Sequence, residues 1–180
     1  MGIIYTAIFG NYDNLKTPTI RTKGWRYVCY TNNPKLKSDF WEIRYVKNKN
    51  LSPVKAARCI KIRFFDYIKD DLVIWCDASM KINCDLDWFI DKYHKDEFTL
   101  MQHPSRNCTY YEGGACIQLN KDSKDIIEHQ LINYYQEGLP KHYGMVQTGV
   151  MIRDNNHNVR ERCDRDWETD RKSTRLNSSH

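Results

Sequence analysis

The chain has 180 residues, 41% of them hydrophobic and 13% aromatic, with a formal net charge of +5; this is the profile of one globular domain, not of a disordered tail. No apolar run approaches the roughly 20 residues that span a bilayer, and the start lacks the basic and apolar regions of a secretion signal, so a cytoplasmic protein is expected. The mild positive charge favours an anionic small ligand and argues against nucleic acid as partner.

In chain order, Ile3 to Phe9 is β-branched and aromatic and stops at Gly10, which predicts a first strand. Trp25 to Thr31 and the alternating Trp41 to Val46 predict two more. Ser52 as N-cap and Pro53 at the first helical position then open a helix. Ala57, Ile60, Phe64 and Ile68 are expected to face its core side. Leu72 to Cys76 is an apolar central strand. A short helix around Trp88 to His94 and a strand from Phe98 to His103 follow. The stretch from Asn107 to Ile117 reads as a Gly-rich loop leading towards a strand. Ser123 is expected to cap a second long helix, with Ile126, Ile127, Leu131 and Tyr134 inward and Gly138 ending it. Val146 to Arg153 is a late strand. This alternation predicts an α/β fold in one domain, a mostly parallel sheet with helices on both faces.

The seven cysteines are odd in number, scattered and without a C-x-x-C pair. They read as reduced, packed thiols, not as a disulfide frame or a zinc site. The end of the chain, Asp170 to His180, has no apolar periodicity and looks like read-through of a sequencing adapter. The domain is therefore expected to cover residues 1–169, truncated at its C-terminus, with 170–180 as a disordered tail outside it.

Chemistry enters at Asp77, directly after the central strand. In open α/β sheets, ligands bind beyond the carboxyl ends of strands. Ser79 lies two residues on, so both side chains share one side if the chain stays extended. A carboxylate and a hydroxyl are hard ligands that suit Mn²⁺ or Mg²⁺, with substrate phosphates completing the shell. The alternative is that Asp77 only makes a turn. Lys55, Arg58 and Lys61, spaced by three, offer a basic stripe to a diphosphate, or form an ordinary solvated face.

Five stretches, in this order, carry a resemblance: "IYTAIFGNYDNLKTP", "SPVKAARCIKI", "IWCDAS", "HPSRNCTYYEG" and "TGVMIRDNN". The chain resembles the glycosyltransferase-like domain of the plant turgor-regulation-defect and mucilage-related proteins and their bacterial relatives, over most of Ile3 to about Trp167. The resemblance implies a GT-A-like, Rossmann-like fold. It also implies transfer of a sugar from a nucleotide-diphosphate sugar to a glycan or other hydroxyl acceptor, assisted by Mn²⁺ or Mg²⁺. By it, Asp77 and Ser79 match a variant of the D-x-D metal motif, and Asp77 also belongs with the donor. Arg58 and Lys61 match a basic helix that contacts the diphosphate, and Thr6, Ala7 and Phe9 lie where the first strand meets the base. His103, Arg106 and Glu112 match an H-x-x-R…E loop, with Arg106 towards the donor and Glu112 or His103 as the base for the acceptor. On the residues alone, His103 reads as a locally bonded strand-end histidine. Thr148, Gly149 and Arg153 match the late strand, Thr148 towards the donor. Family members continue differently after Trp167. Two rival readings stand beside this one: a non-catalytic carbohydrate- or nucleotide-binding domain of the same fold, and a nucleotidyltransferase, for which no Gly-rich phosphate loop followed by lysine speaks.

Overall fold

A strand that is apolar on both faces needs cover on both faces and a ladder on both edges. Gly2–Ile8 (β1) is such a strand: every residue in it is buried. The structure is a computed structural model that describes residues 2–10, 13–47 and 51–175, the side chains of 166 and 168–175 excepted. After β1 come Arg26–Thr31 (β2), Glu42–Tyr45 (β3), Pro53–Ile62 (α1), a 3-10 turn at Phe64–Asp66, Leu72–Cys76 (β4) and Leu86–Tyr93 (α2). Then follow Phe98–Gln102 (β5), Thr109–Gln118 (α3), Lys124–Gln136 (α4), Val146–Asp154 (β6) and His157–Arg175 (α5). The sheet runs β3-β2-β1-β4-β6-β5. The first four of these pair in parallel, and β6 pairs antiparallel with β4. The fold is a mixed α/β sheet, mostly parallel, as the sequence predicts.

The chain divides into two compact units, Met1–Thr99 with Gly149–His180, and Leu100–Thr148. In the first, strand alternation sends Ile4, Ile8, Ile74, Cys76 and Ile152 into one core with Trp25, Tyr27, Trp41 and Leu86, and Phe89 and Ile90 of α2 pack against it. Tyr5 and Arg153 point to the other face. There the Tyr5 hydroxyl donates to the Lys61 carbonyl of α1 (3.0 Å), and Arg153 meets Cys163 of α5. Helices therefore cover this part of the sheet on both faces.

Helix α1 begins as predicted. Pro53 occupies the first turn, and the Ser52 hydroxyl accepts from the Lys55 N–H. Its inward stripe starts one residue earlier than predicted: Ala56, not Ala57, is buried, followed by Ile60, Phe64 and Ile68. The helix stops at Ile62 instead of reaching Ile68. Arg63 leaves the helical region (φ −89°, ψ 42°) and pairs with Asp66 at 2.8 Å. That break lets Phe64 enter the core with no exposure at all.

In the second unit, the stretch predicted as a Gly-rich loop is helical, since α3 covers most of it. The reason is packing. A Cβ at Gly113 would stand 2.6 Å from Leu131 Cδ1 of α4, so this glycine permits close contact of two helices and is not a turn residue. Gly113→Ala should gain about 1 kcal/mol of helix propensity and lose about 1–3 kcal/mol to overpacking. A net destabilisation near 1 kcal/mol in urea unfolding is the expected result. Helix α4 ends at Gly138 (φ +81°), whose N–H donates to the Tyr135 carbonyl.

Helix α5 buries Val159, Cys163 and Trp167 at four-residue spacing. It runs through the boundary expected at residue 170 as far as Arg175; the rest of the expected tail lies outside the described residues. Among the described residues, no disulfide joins any of the seven cysteines. Among the described residues, no helix is long and apolar enough to cross a membrane.

Candidate functional site

Strand β4 delivers Asp77 to the carboxyl edge of the sheet. The Asp77 N–H donates to the Gly149 carbonyl (2.8 Å), which carries the ladder with β6 one step past the strand. The Asp77 carbonyl then accepts from the Met80 N–H (2.9 Å). The chain turns here and does not stay extended. The alternation that would have aligned Ser79 with Asp77 therefore does not apply, and Ser79 stands exposed on the turn.

The carboxylate itself is held from two sides. Oδ1 accepts from Trp75 Nε1 (2.7 Å) and from Lys61 Nζ (3.3 Å). Oδ2 has no hydrogen bond among the described residues. Asp77 is 40% exposed and Lys61 17%, so the lysine approaches from the protein side and the carboxylate keeps an open face. Burial pushes the Lys61 ammonium below the usual lysine range, Asp77 opposes that, and the nearby charges of Arg153 and Arg58 add to it. Gly149 lets β6 come close: a Cβ there would lie 3.0 Å from Met80 Cε and 3.5 Å from Asp77 Oδ2. Cys76, next to Asp77, is pushed up to about 12, mainly by burial, so it supplies no thiolate.

A narrow crevice, too tight to admit a water molecule, adjoins this carboxylate, lined by Thr6, Leu15, Lys16, Trp41, Cys76, Asp77, Ala78 and Met80. Thr6 is 1% exposed, and its hydroxyl has no hydrogen-bond partner among the described residues. A buried hydroxyl left unpaired is costly, and here it lines the crevice. Of the other residues expected at the donor, Ala7 and Phe9 are buried in the core. Arg58 is exposed on α1, one turn before Lys61. The structure thus brings Thr6, Lys61 and Asp77 to one edge. Trp75, which orients Asp77, was missed in the sequence. Its signal was an aromatic two residues upstream on the same strand face.

The second unit holds its own polar cluster. Arg106 and Glu112 form an ion pair, Glu112 lying in the first turn of α3. The Nδ1 of His103 accepts from the N–H groups of Ser105 and Arg106 (3.3 and 3.0 Å). That places the ring proton on Nε2 and makes His103 an organiser of its own loop, as the residues alone predicted. Thr148 is exposed on β6, directly before Gly149.

Parallel strands that end on a carboxylate, with a lysine-bearing helix at the same edge, define an α/β domain of the open, mostly parallel sheet class. Within that class the chain belongs to the TOD1/MUCI70 glycosyltransferase-like domain family, whose profile matches residues 31–162. Strand β1, with Thr6, precedes the matched segment. No curated protein matches the chain in sequence.

Proposed function

We propose that the chain is a GT-A-type glycosyltransferase that moves a sugar from a nucleotide-diphosphate donor to a hydroxyl acceptor such as a glycan. The observation that carries this reading is the Lys61–Asp77 pair at the carboxyl edge of β4, with the open face of its carboxylate. Family membership supports the reaction class. Lys61, with Arg58 one turn away, neutralises the diphosphate, while Thr6, 1% exposed, lies behind that surface.

Among the described residues, no group of three or more His, Cys, Asp or Glu side chains gathers around a metal position. Asp77 Oδ2 alone still suits Mn²⁺ or Mg²⁺ bound mainly through substrate, while the turn leaves Ser79 out of line with it. Such ions take one or two protein ligands and fill the rest with phosphate oxygens and water. When bound, the ion supplies charge neutralisation of the leaving diphosphate. The ion pair also favours a second reading, in which Lys61 serves that purpose and donor binding needs no metal.

Calorimetric titration of UDP-, GDP- and CMP-sugars with Mn²⁺ and with EDTA, together with donor hydrolysis, tests both readings. Metal-dependent binding and hydrolysis support the first, and binding that ignores EDTA supports the second. A folded protein that binds no nucleotide sugar is a carbohydrate-binding or scaffold domain instead. The pH dependence has a definite sign. The Lys61 ammonium is lowered, mainly by burial, so its positive charge belongs to the low-pH side. It is lost as pH rises, before an ordinary lysine near 10.4 would lose its own. Donor affinity should fall over that range, and in Lys61→Arg the fall should disappear.

A further inference from the structure

Arg153 is the largest fully buried side chain among the described residues, 1% exposed on β6. Its guanidinium stacks over the Phe64 ring at 4.1 Å. Nη2 donates to the Tyr5 hydroxyl, and Nη1 lies 3.8 Å from Cys163 Sγ. Nε has no hydrogen-bond partner, and no carboxylate pairs with the charge, among the described residues. A buried cation without a carboxylate is expensive, and an apolar side chain of similar length often serves stability as well or better. Stability therefore does not account for an arginine at this position.

The contacts lead to the candidate site. The Tyr5 hydroxyl, which accepts from Arg153, donates in turn to the Lys61 carbonyl at 3.0 Å. Lys61 lies in the last turn of α1, where helix carbonyls have no partner within the helix. Two residues on, the helix breaks at Arg63. On the other side of the same residue, Lys61 Nζ reaches Asp77 Oδ1. The register closes the path: Tyr5 pairs with Trp75, the residue that also holds Asp77, and Val73 on the same strand pairs with Arg153.

We propose that Arg153 is a positioning residue. Through Tyr5 it fixes the last turn of α1 to the sheet and so sets Lys61 against Asp77. Arg153 touches no ligand in this arrangement; it acts through Lys61. The inference rests on reading the Lys61–Asp77 edge as the donor site, and the test separates the two.

Arg153→Met keeps the length and removes the guanidinium. Its urea midpoint should equal or exceed that of the wild type. Amide hydrogen exchange at Ile62 and Arg63 should quicken at least about tenfold, with the amides of β1 and β4 unchanged. Affinity for UDP with Mn²⁺ should fall ~10- to 100-fold, the usual cost of losing an outer-shell support. In a Lys61→Met background, Arg153→Met should cost nothing further, because residues acting through one another are not additive. Tyr5→Phe, which leaves the ring in the core, should reproduce the exchange result even if Arg153→Met does not fold. Unchanged exchange at the end of α1 in both variants overturns the proposal. Additive losses of UDP affinity from Arg153→Met and Lys61→Met also overturn it. If Lys61→Met leaves UDP affinity intact, the donor-site reading fails, and the exchange arm alone decides the positioning role.

Discussion

Asp77→Ala should abolish metal-dependent donor binding while leaving a folded protein. The carboxylate is 40% exposed and its ion pair is worth about 1 kcal/mol, while Trp75 Nε1 loses its acceptor at a cost of about 1–2 kcal/mol. The turn around Asp77 is made by main-chain bonds to Gly149 and Met80, which alanine preserves. Loss of folding free energy should therefore stay within about 3 kcal/mol in urea titration. Removing a direct ligand should cost at least the ~100-fold that loss of a supporting group can cost. Asp77→Asn sharpens the case. It keeps an oxygen for Trp75 Nε1 and a similar shape, so a merely structural Asp77 predicts wild-type binding in Asn and only a mild defect in Ala. If both variants bind the donor as the wild type does, with the same response to Mn²⁺, Asp77 is a turn residue and the proposed function loses its centre.

The largest effect on stability is expected for Phe64→Ala. Phe64 has no exposed surface and packs edge-on against Phe65, while the Arg153 guanidinium lies on its ring. Truncating a buried phenylalanine costs about 3–5 kcal/mol, and the buried Arg153 guanidinium left without its ring deepens the loss. Against a typical total of about 5–15 kcal/mol, such a change should leave the protein partly unfolded at physiological temperature. Phe64→Leu should cost about 1–2 kcal/mol, since most of the volume is kept. Urea unfolding of the three proteins measures both differences. A loss below about 1 kcal/mol in Phe64→Ala would mean that the 3-10 turn is not anchored in the core as its burial indicates.

The amino-acid sequence by itself determined the strands, the opening of α1 and the place of Asp77. These are local matters. An apolar β-branched run such as Leu72 to Cys76 has one good use, and Ser52 with Pro53 meets the needs of a helix start whatever the rest of the chain does. The resemblance in five ordered stretches likewise reached the family that the profile match bears out. Tertiary structure decided the rest, where distant parts of the chain compete with local preference. Glycine reads as a loop signal, yet Gly113 sits in a helix because Leu131, eighteen positions away in sequence, needs the space its side chain would fill. The helical pattern of α1 continues on paper to Ile68, yet the helix breaks at Arg63 so that Phe64 can drop into the core. The Lys55, Arg58 and Lys61 stripe, taken alone, reads first as a solvated face and only second as a ligand face. Only the fold turned Lys61 towards Asp77, by packing α1 across β1 and letting Tyr5 hold the Lys61 carbonyl. Arg153, read along the chain, is one more charged residue at a strand end. Its burial beside Phe64 and Tyr5 exists only once β1, β6 and α5 have met, because the cost of an enclosed charge depends on what surrounds it.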